Sequence, residues 1–151
     1  MIGEPEALLR LALAAGAGAI IGLEREERDK PAGVRTFAIV ALGAALFSLV
    51  GLMTFGQDDA AARLAAQVIT GVGFLGAGTI LHSRGRVIGL TTAAGIWGSA
   101  AVGMGLGYGL YVLSIGGAVI LLAILRLVGR LMGGLEPAPD GSSTNRDAAR
   151  D

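Results

Sequence analysis

The sequence predicts an all-α membrane protein, a compact bundle of about five short transmembrane helices with the N-terminus out and the C-terminus in. Three observations predict it. Of the 151 residues, 53% are hydrophobic and only 16% are charged, against about a quarter charged in an average soluble chain. The charges sit in short clusters with long uncharged runs between them. One such run, residues 36–55, carries no charge and has no polar face, whereas a helix packed on a soluble core needs one.

The first apolar run covers roughly Ala7 to Leu23 and is interrupted by Arg10, whose long stem can snorkel to the interface. It is read as a retained helix rather than a cleaved signal peptide, because Glu4 and Glu6 precede it and Glu24-Arg25-Glu26-Glu27 ends it. Pro31-Ala32-Gly33 then breaks the chain, and Thr36 is placed to cap a second helix running to Phe55. The third helix runs from about Ala65 to Leu81. After a Ser83-Arg84-Gly85-Arg86 turn, Thr91 or Thr92 could cap the fourth, Leu90 to Met104, whose small residues suit a position between other helices. The alternating Gly103, Gly105, Gly107 and Gly109 read as a flexible outer turn leading into a fifth helix, Leu106 to Val128.

A spanning helix needs about 20 residues, or roughly 17 in a thin bilayer. By that measure the second and fifth runs pass easily, the first and third are short, and the fourth is marginal. Residues 1–132 form the transmembrane domain in this reading. Residues 133–151, with Pro137, Pro139 and a Ser-Ser-Thr-Asn run, read as a disordered polar cytoplasmic tail.

Orientation comes from the basic residues. Arg25, Arg28, Lys30, Arg35, Arg84, Arg86, Arg126 and Arg130 fall on one side, and only Arg10 and Arg63 on the other. The positive-inside rule puts the larger group in the cytoplasm. A formal net charge of zero gives no reason to expect nucleic-acid binding. With no cysteine, disulfides and thiolate metal sites are excluded.

Glycine, at 26 copies, is the commonest special residue. Gly18 and Gly22 form a GxxxG pair, and Gly71, Gly73, Gly76 and Gly78 line the third helix. Lipid gives helices little hydrophobic reason to associate, so small residues that let backbones approach take over that task. These six glycines are therefore read as helix-packing positions. Gly71-Val72-Gly73-Phe74-Leu75-Gly76 also spells the dinucleotide fingerprint, but it lies inside an apolar span with no preceding strand and no acidic residue about 20 positions on. A nucleotide site is rejected.

The cluster from Glu24 to Lys30, followed by Arg35, has three readings. The simplest is a solvated helix end that sets topology, with i,i+4 pairs from Glu24 to Arg28 and from Glu26 to Lys30. In the second, its carboxylates contact a hard cation such as magnesium, although four interleaved cations weaken the field. In the third, Arg35 pairs with Glu24 across the turn and locks the first two helices together. Polar residues within the spans are few: Ser48, Gln67, Thr70, Thr79, Ser99 and Ser114. No acidic residue lies deep in a span and no nucleophile–base pair is visible, which argues against a proton relay and against catalysis. His82, the only histidine, lacks partners for a transition-metal site.

Several strings, in order from about Leu8 to Gly109, resemble the MgtC/SapB family. They are Gly22-Leu23-Glu24-Arg25-Glu26, Ala32-Gly33-Val34-Arg35-Thr36, Leu42-Gly43-Ala44, Gly71 to Gly78, and Gly89-Leu90-Thr91-Thr92-Ala93-Ala94 followed by Trp97. The resemblance implies a multi-pass bacterial inner-membrane protein of magnesium homeostasis, linked in pathogens to survival inside macrophages. It implies a non-enzymatic modulator of a membrane partner such as the F-type ATP synthase or an ion pump, with magnesium transport as the alternative. Beyond the bilayer and that partner, a homo-oligomer is open. No cofactor is expected, and magnesium is the one ion the family brings in. Glu24, Arg25, Glu26, Arg35, Thr36, Thr91, Thr92 and Trp97 become the candidate functional residues. Many members carry an ACT-like cytoplasmic domain after the last helix, so regulation that depends on it is not carried over to this chain.

Overall fold

A computed structural model of the chain describes residues 2–56, 58–83 and 86–128. Five helices follow one another: α1 (Glu4–Glu26), α2 (Val34–Phe55), α3 (Asp59–Ala77), α4 (Leu90–Gly107) and α5 (Tyr111–Ala123). A π-helical turn, Ile124–Val128, continues α5. Pro5, with Glu4 and Glu6, opens α1, where a missing N–H costs nothing and carboxylates face the positive end of the helix.

The helices α1, α2 and α3 are each long and apolar enough to cross a membrane. Without water, only structures that satisfy their own backbone hydrogen bonds are stable there, and helices do so internally. The helix α5 is apolar but shorter than those three. The expected easy span from Leu106 to Val128 is therefore corrected, because Leu106 belongs to α4 and α5 begins at Tyr111. The expected glycine-rich turn shrinks too. Gly103, Gly105 and Gly107 lie inside α4, and only Gly109, at φ +80°, makes the turn.

A short antiparallel hairpin, β1 (Leu81–Ser83) with β2 (Arg86–Ile88), joins α3 to α4 in the register Leu81↔Ile88, His82↔Val87 and Ser83↔Arg86. The sequence suggests only a turn there, and the pairing extends it into a hairpin. The disordered tail expected over residues 133–151 lies outside the described residues.

The core is made of small and mid-sized side chains, among them Ala14, Ile21, Phe37, Ala44, Ala45, Ile96, Ala100 and Leu106. It is centred where α2 is enclosed by α1 and α4, and α4 also packs on α3 and α5. Large apolar side chains point outward all around the bundle, including Leu8, Ile39, Phe47, Phe74, Val112, Leu113 and Ile120. In water such a surface would associate. In lipid it is the solvated side.

Candidate functional site

Two buried ionic groups and a set of glycine contacts organise the bundle. At one end, α1 finishes in Glu24-Arg25-Glu26, and the simple picture of a solvated helix end fails there. Glu24 is 1% exposed and Arg25 is 3% exposed. The Arg25 guanidinium donates to Oε2 of Glu24. One helical turn on, Arg28 Nε lies 2.7 Å from Oε1 of Glu24. That approach is not in line for a hydrogen bond, so Oε1 is neutralised by charge without a donor aimed at it. Arg28 also donates to the carbonyl of Arg126 at 3.4 Å, tying this cluster to the π-helical turn after α5.

Glu26 points the other way. Its Oε2 accepts the N–H of Val34 at 2.9 Å and so caps α2 from the preceding helix. This corrects two expectations. Thr36 caps nothing, since α2 starts after Gly33 and Thr36 is an exposed residue of its first turn. Glu26 does not pair with Lys30, because α1 ends at Glu26 and a turn follows. The Glu24–Arg35 clamp is also absent. Arg35 is exposed on α2, while Glu24 is taken up by Arg25 and Arg28. Two nearer cations, Arg25 on α1 and Arg28 in the turn just after it, outcompete one that must reach over from α2.

At the entrance to α4, neither Thr91 nor Thr92 is the cap. Gly89 precedes the helix at φ +96°, and a Cβ there would run into the carbonyl of Thr79. Only glycine meets both demands. Thr91 is exposed, Thr92 is 1% exposed, and Trp97 is half-exposed on the outer side of α4. The eight candidate residues therefore split. Glu24, Arg25 and Thr92 are buried, and the other five lie on the surface.

At the opposite end Arg10, expected to snorkel, is instead 8% exposed. It donates to the carbonyl of Gly107 at 2.9 Å and to the Tyr111 hydroxyl at 3.1 Å, and it pairs with Glu6. Its guanidinium carbon also lies 5.7 Å from the centre of the Tyr111 ring, within reach of a cation–π attraction. A Cβ on Gly109 would meet that guanidinium at 2.8 Å. Arg10 thus fastens α1 to the α4–α5 turn. Nothing local in the sequence marks this role, since Gly107 and Tyr111 lie 97 and 101 positions away.

The glycines sort unevenly. Gly18 and Gly22 lie against α2, Gly18 against the backbone of Phe37 and Gly22 with its Cβ position 2.7 Å from Val34 Cα. A second GxxxG pair, Gly103 and Gly107, lies within α4 where the sequence suggests a turn. Gly103 of α4 abuts the carbonyl of Ala41, and the Cβ position of Gly107 lies 2.6 Å from the carbonyl oxygen of Ala45. The helix α2 is thereby clasped by one glycine pair on α1 and another on α4. On α3, Gly76 meets Ala93 of α4, but Gly71 and Gly73 have no neighbour within 4 Å, and Gly78 approaches only carbonyls of its own chain segment, Leu75 and Phe74. The expectation that Gly71, Gly73 and Gly78 pack against other helices is corrected for these three.

Among the polar groups within the spans, Ser48 donates one turn back to Ala44 at 2.9 Å and Thr70 to Ala66 at 3.3 Å, while Ser99 bonds across to the Phe37 carbonyl of α2 at 3.3 Å. Among the described residues no three His, Cys, Asp or Glu side chains come together as a metal site.

Comparison with known proteins adds the following. A family model described as the MgtC family matches residues 11–133. YhiD of Escherichia coli (strain K12), whose name marks it as a candidate magnesium transporter, is 46% identical over 135 residues, covering 83% of this chain and 62% of its own. SrpB of Synechococcus elongatus is 46% identical over 129 residues, covering 77% of this chain and 71% of its own. Protein MgtC of Salmonella typhimurium (strain 14028s) is 44% identical over 115 residues, covering 76% of this chain and 49% of its own. Against the first of these relatives the chain thus spans less than two-thirds of the relative's length, and against MgtC about half. No solved structure matches.

Proposed function

This chain belongs to the MgtC family, and from that premise we propose that it is an inner-membrane protein of magnesium homeostasis that modulates a membrane partner and performs no catalysis. The partner is an F-type ATP synthase or an ion pump. All five helices cross the bilayer, with the Glu24 end in the cytoplasm, as the basic residues dictate.

One observation carries the choice of modulator over carrier. Glu24 is the only buried carboxylate among the described residues, and Arg25 and Arg28 both engage it. A hard divalent cation needs oxygen ligands with unspent negative charge, and the field of this carboxylate is already cancelled. The glycine contacts around α2 support the same reading, since they close the centre of the bundle instead of opening a path. The exposed Arg35, Thr36 and Thr91, with Trp97 two turns deeper along α4, are the surface offered to the partner at that end.

Transport is the second reading, and the name of YhiD raises it. Two measurements decide between them. The purified chain in liposomes loaded with a magnesium-sensitive dye should give no flux above empty vesicles. The same chain should restore growth in low magnesium to a strain lacking its own MgtC-family protein. Flux at a rate that accounts for the growth would replace the modulator with a carrier.

A further inference from the structure

A groove lies between α2 and α3 on the outer surface of the bundle. It encloses about 430 Å³ and is lined mainly by apolar groups, among them Ile39, Phe47 and Leu75, with Gly43 and Gly71 in its wall. Gln67 stands on its rim. Gln67 is exposed and, among the described residues, its carboxamide makes no hydrogen bond. At 1.5 Å per residue it sits about 12 Å from the first residue of α3 and about 15 Å from the last. That is near the middle of a hydrocarbon layer of about 30 Å. An amide there has no water to turn to, so a polar partner must come from protein.

We propose that this groove and the outer face of α3 form the contact with a second copy of the chain, related by a two-fold axis along the membrane normal. Such an axis brings residues of equal depth together, so an isologous face must tolerate meeting itself. This one does. A carboxamide is both donor and acceptor, so Gln67 of each copy satisfies the other. Gly71, with nothing within 4 Å, lets the backbones approach. At the end of the same face Asp59 and Arg63 are exposed and are not paired with each other. One turn apart, each Arg63 can reach the Asp59 of the other copy. Phe74, 81% exposed, follows Gln67 by seven residues and so projects on nearly the same line, as a knob facing a groove. An acyl chain could fill the volume but would leave the amide unsatisfied, which is why protein and not lipid is the occupant.

The absence of cysteine makes the test clean. Thr70→Cys, on the outer face of α3, and Val119→Cys, on the outer face of α5, are introduced separately into the full chain and treated in the membrane with a short bismaleimide. Thr70→Cys should give a covalent dimer and Val119→Cys should not. Gln67→Leu, added to Thr70→Cys, should lower the dimer yield roughly threefold or more, the weight of one interhelical hydrogen bond in a bilayer. Gly71→Ala, whose added Cβ meets nothing within 4 Å in the chain, should lower it as well while thermal unfolding of the monomer is unchanged. No dimer from Thr70→Cys, a crosslink to a different membrane protein, or an unchanged yield in Gln67→Leu would each overturn the proposal.

Discussion

The helices α2 and α3 are sequence neighbours of 22 and 19 residues, both apolar enough to span, yet glycine serves them in opposite ways. Around α2, Gly18 and Gly22 on one side and Gly103 and Gly107 on the other bring three backbones into contact. On α3, Gly71 and Gly73 touch nothing inside the chain. A small-residue spacing therefore says that a helix can be approached closely. It does not say by which helix, or whether that helix belongs to the same molecule.

The sharpest way to break this contrast is at the ionic group that closes the clasped side. Glu24→Ala leaves Arg25 buried without its carboxylate, and breaking a buried pair in this way costs about 3–5 kcal/mol. Denaturant unfolding of the detergent-solubilised protein should show a loss of that size. A loss below about 1 kcal/mol would mean that the pair is solvated and the enclosed end is looser than described.

Next in size is Gly103→Leu, which drives a side chain into the backbone at Ala41. Overpacking typically costs about 1–3 kcal/mol, and a backbone obstacle gives way less than a side chain, so the upper end is expected from the same unfolding measurement. Gly73→Leu is its counterpart on α3. With open space at that position, the stability of the monomer should stay within about 0.5 kcal/mol, as for an ordinary surface change. Equal effects at the two glycines would erase the distinction between the helices.

The smallest effect is expected from Arg35→Ala. The side chain is exposed and takes no part in the Glu24 group, so stability should change by less than about 0.5 kcal/mol. Growth in low magnesium is the informative measurement. A growth defect without a stability loss would place Arg35 on the surface offered to the partner, and normal growth would remove it from the candidate residues.

Much of the molecule was legible in the chain. The membrane setting and the number and order of helices follow from properties summed over windows of about twenty residues, and such sums survive errors at any single position. The family resemblance rests instead on short ordered strings such as Gly22 to Glu26 and Gly71 to Gly78. Partition into lipid is set by total apolar character, which is why the uncharged run at residues 36–55 was decisive without any knowledge of its neighbours. The tertiary structure alone decided which residues within those helices are enclosed. Burial of a side chain depends on which other helix reaches it, and those encounters join distant parts of the chain. Arg10 meets Gly107 across 97 positions, and Ser99 meets Phe37 across 62. For the same reason Glu24, which reads as one carboxylate in a solvated cluster, is the one enclosed between two arginines. Gly103 and Gly107, which read as a loose turn, instead hold α4 against α2.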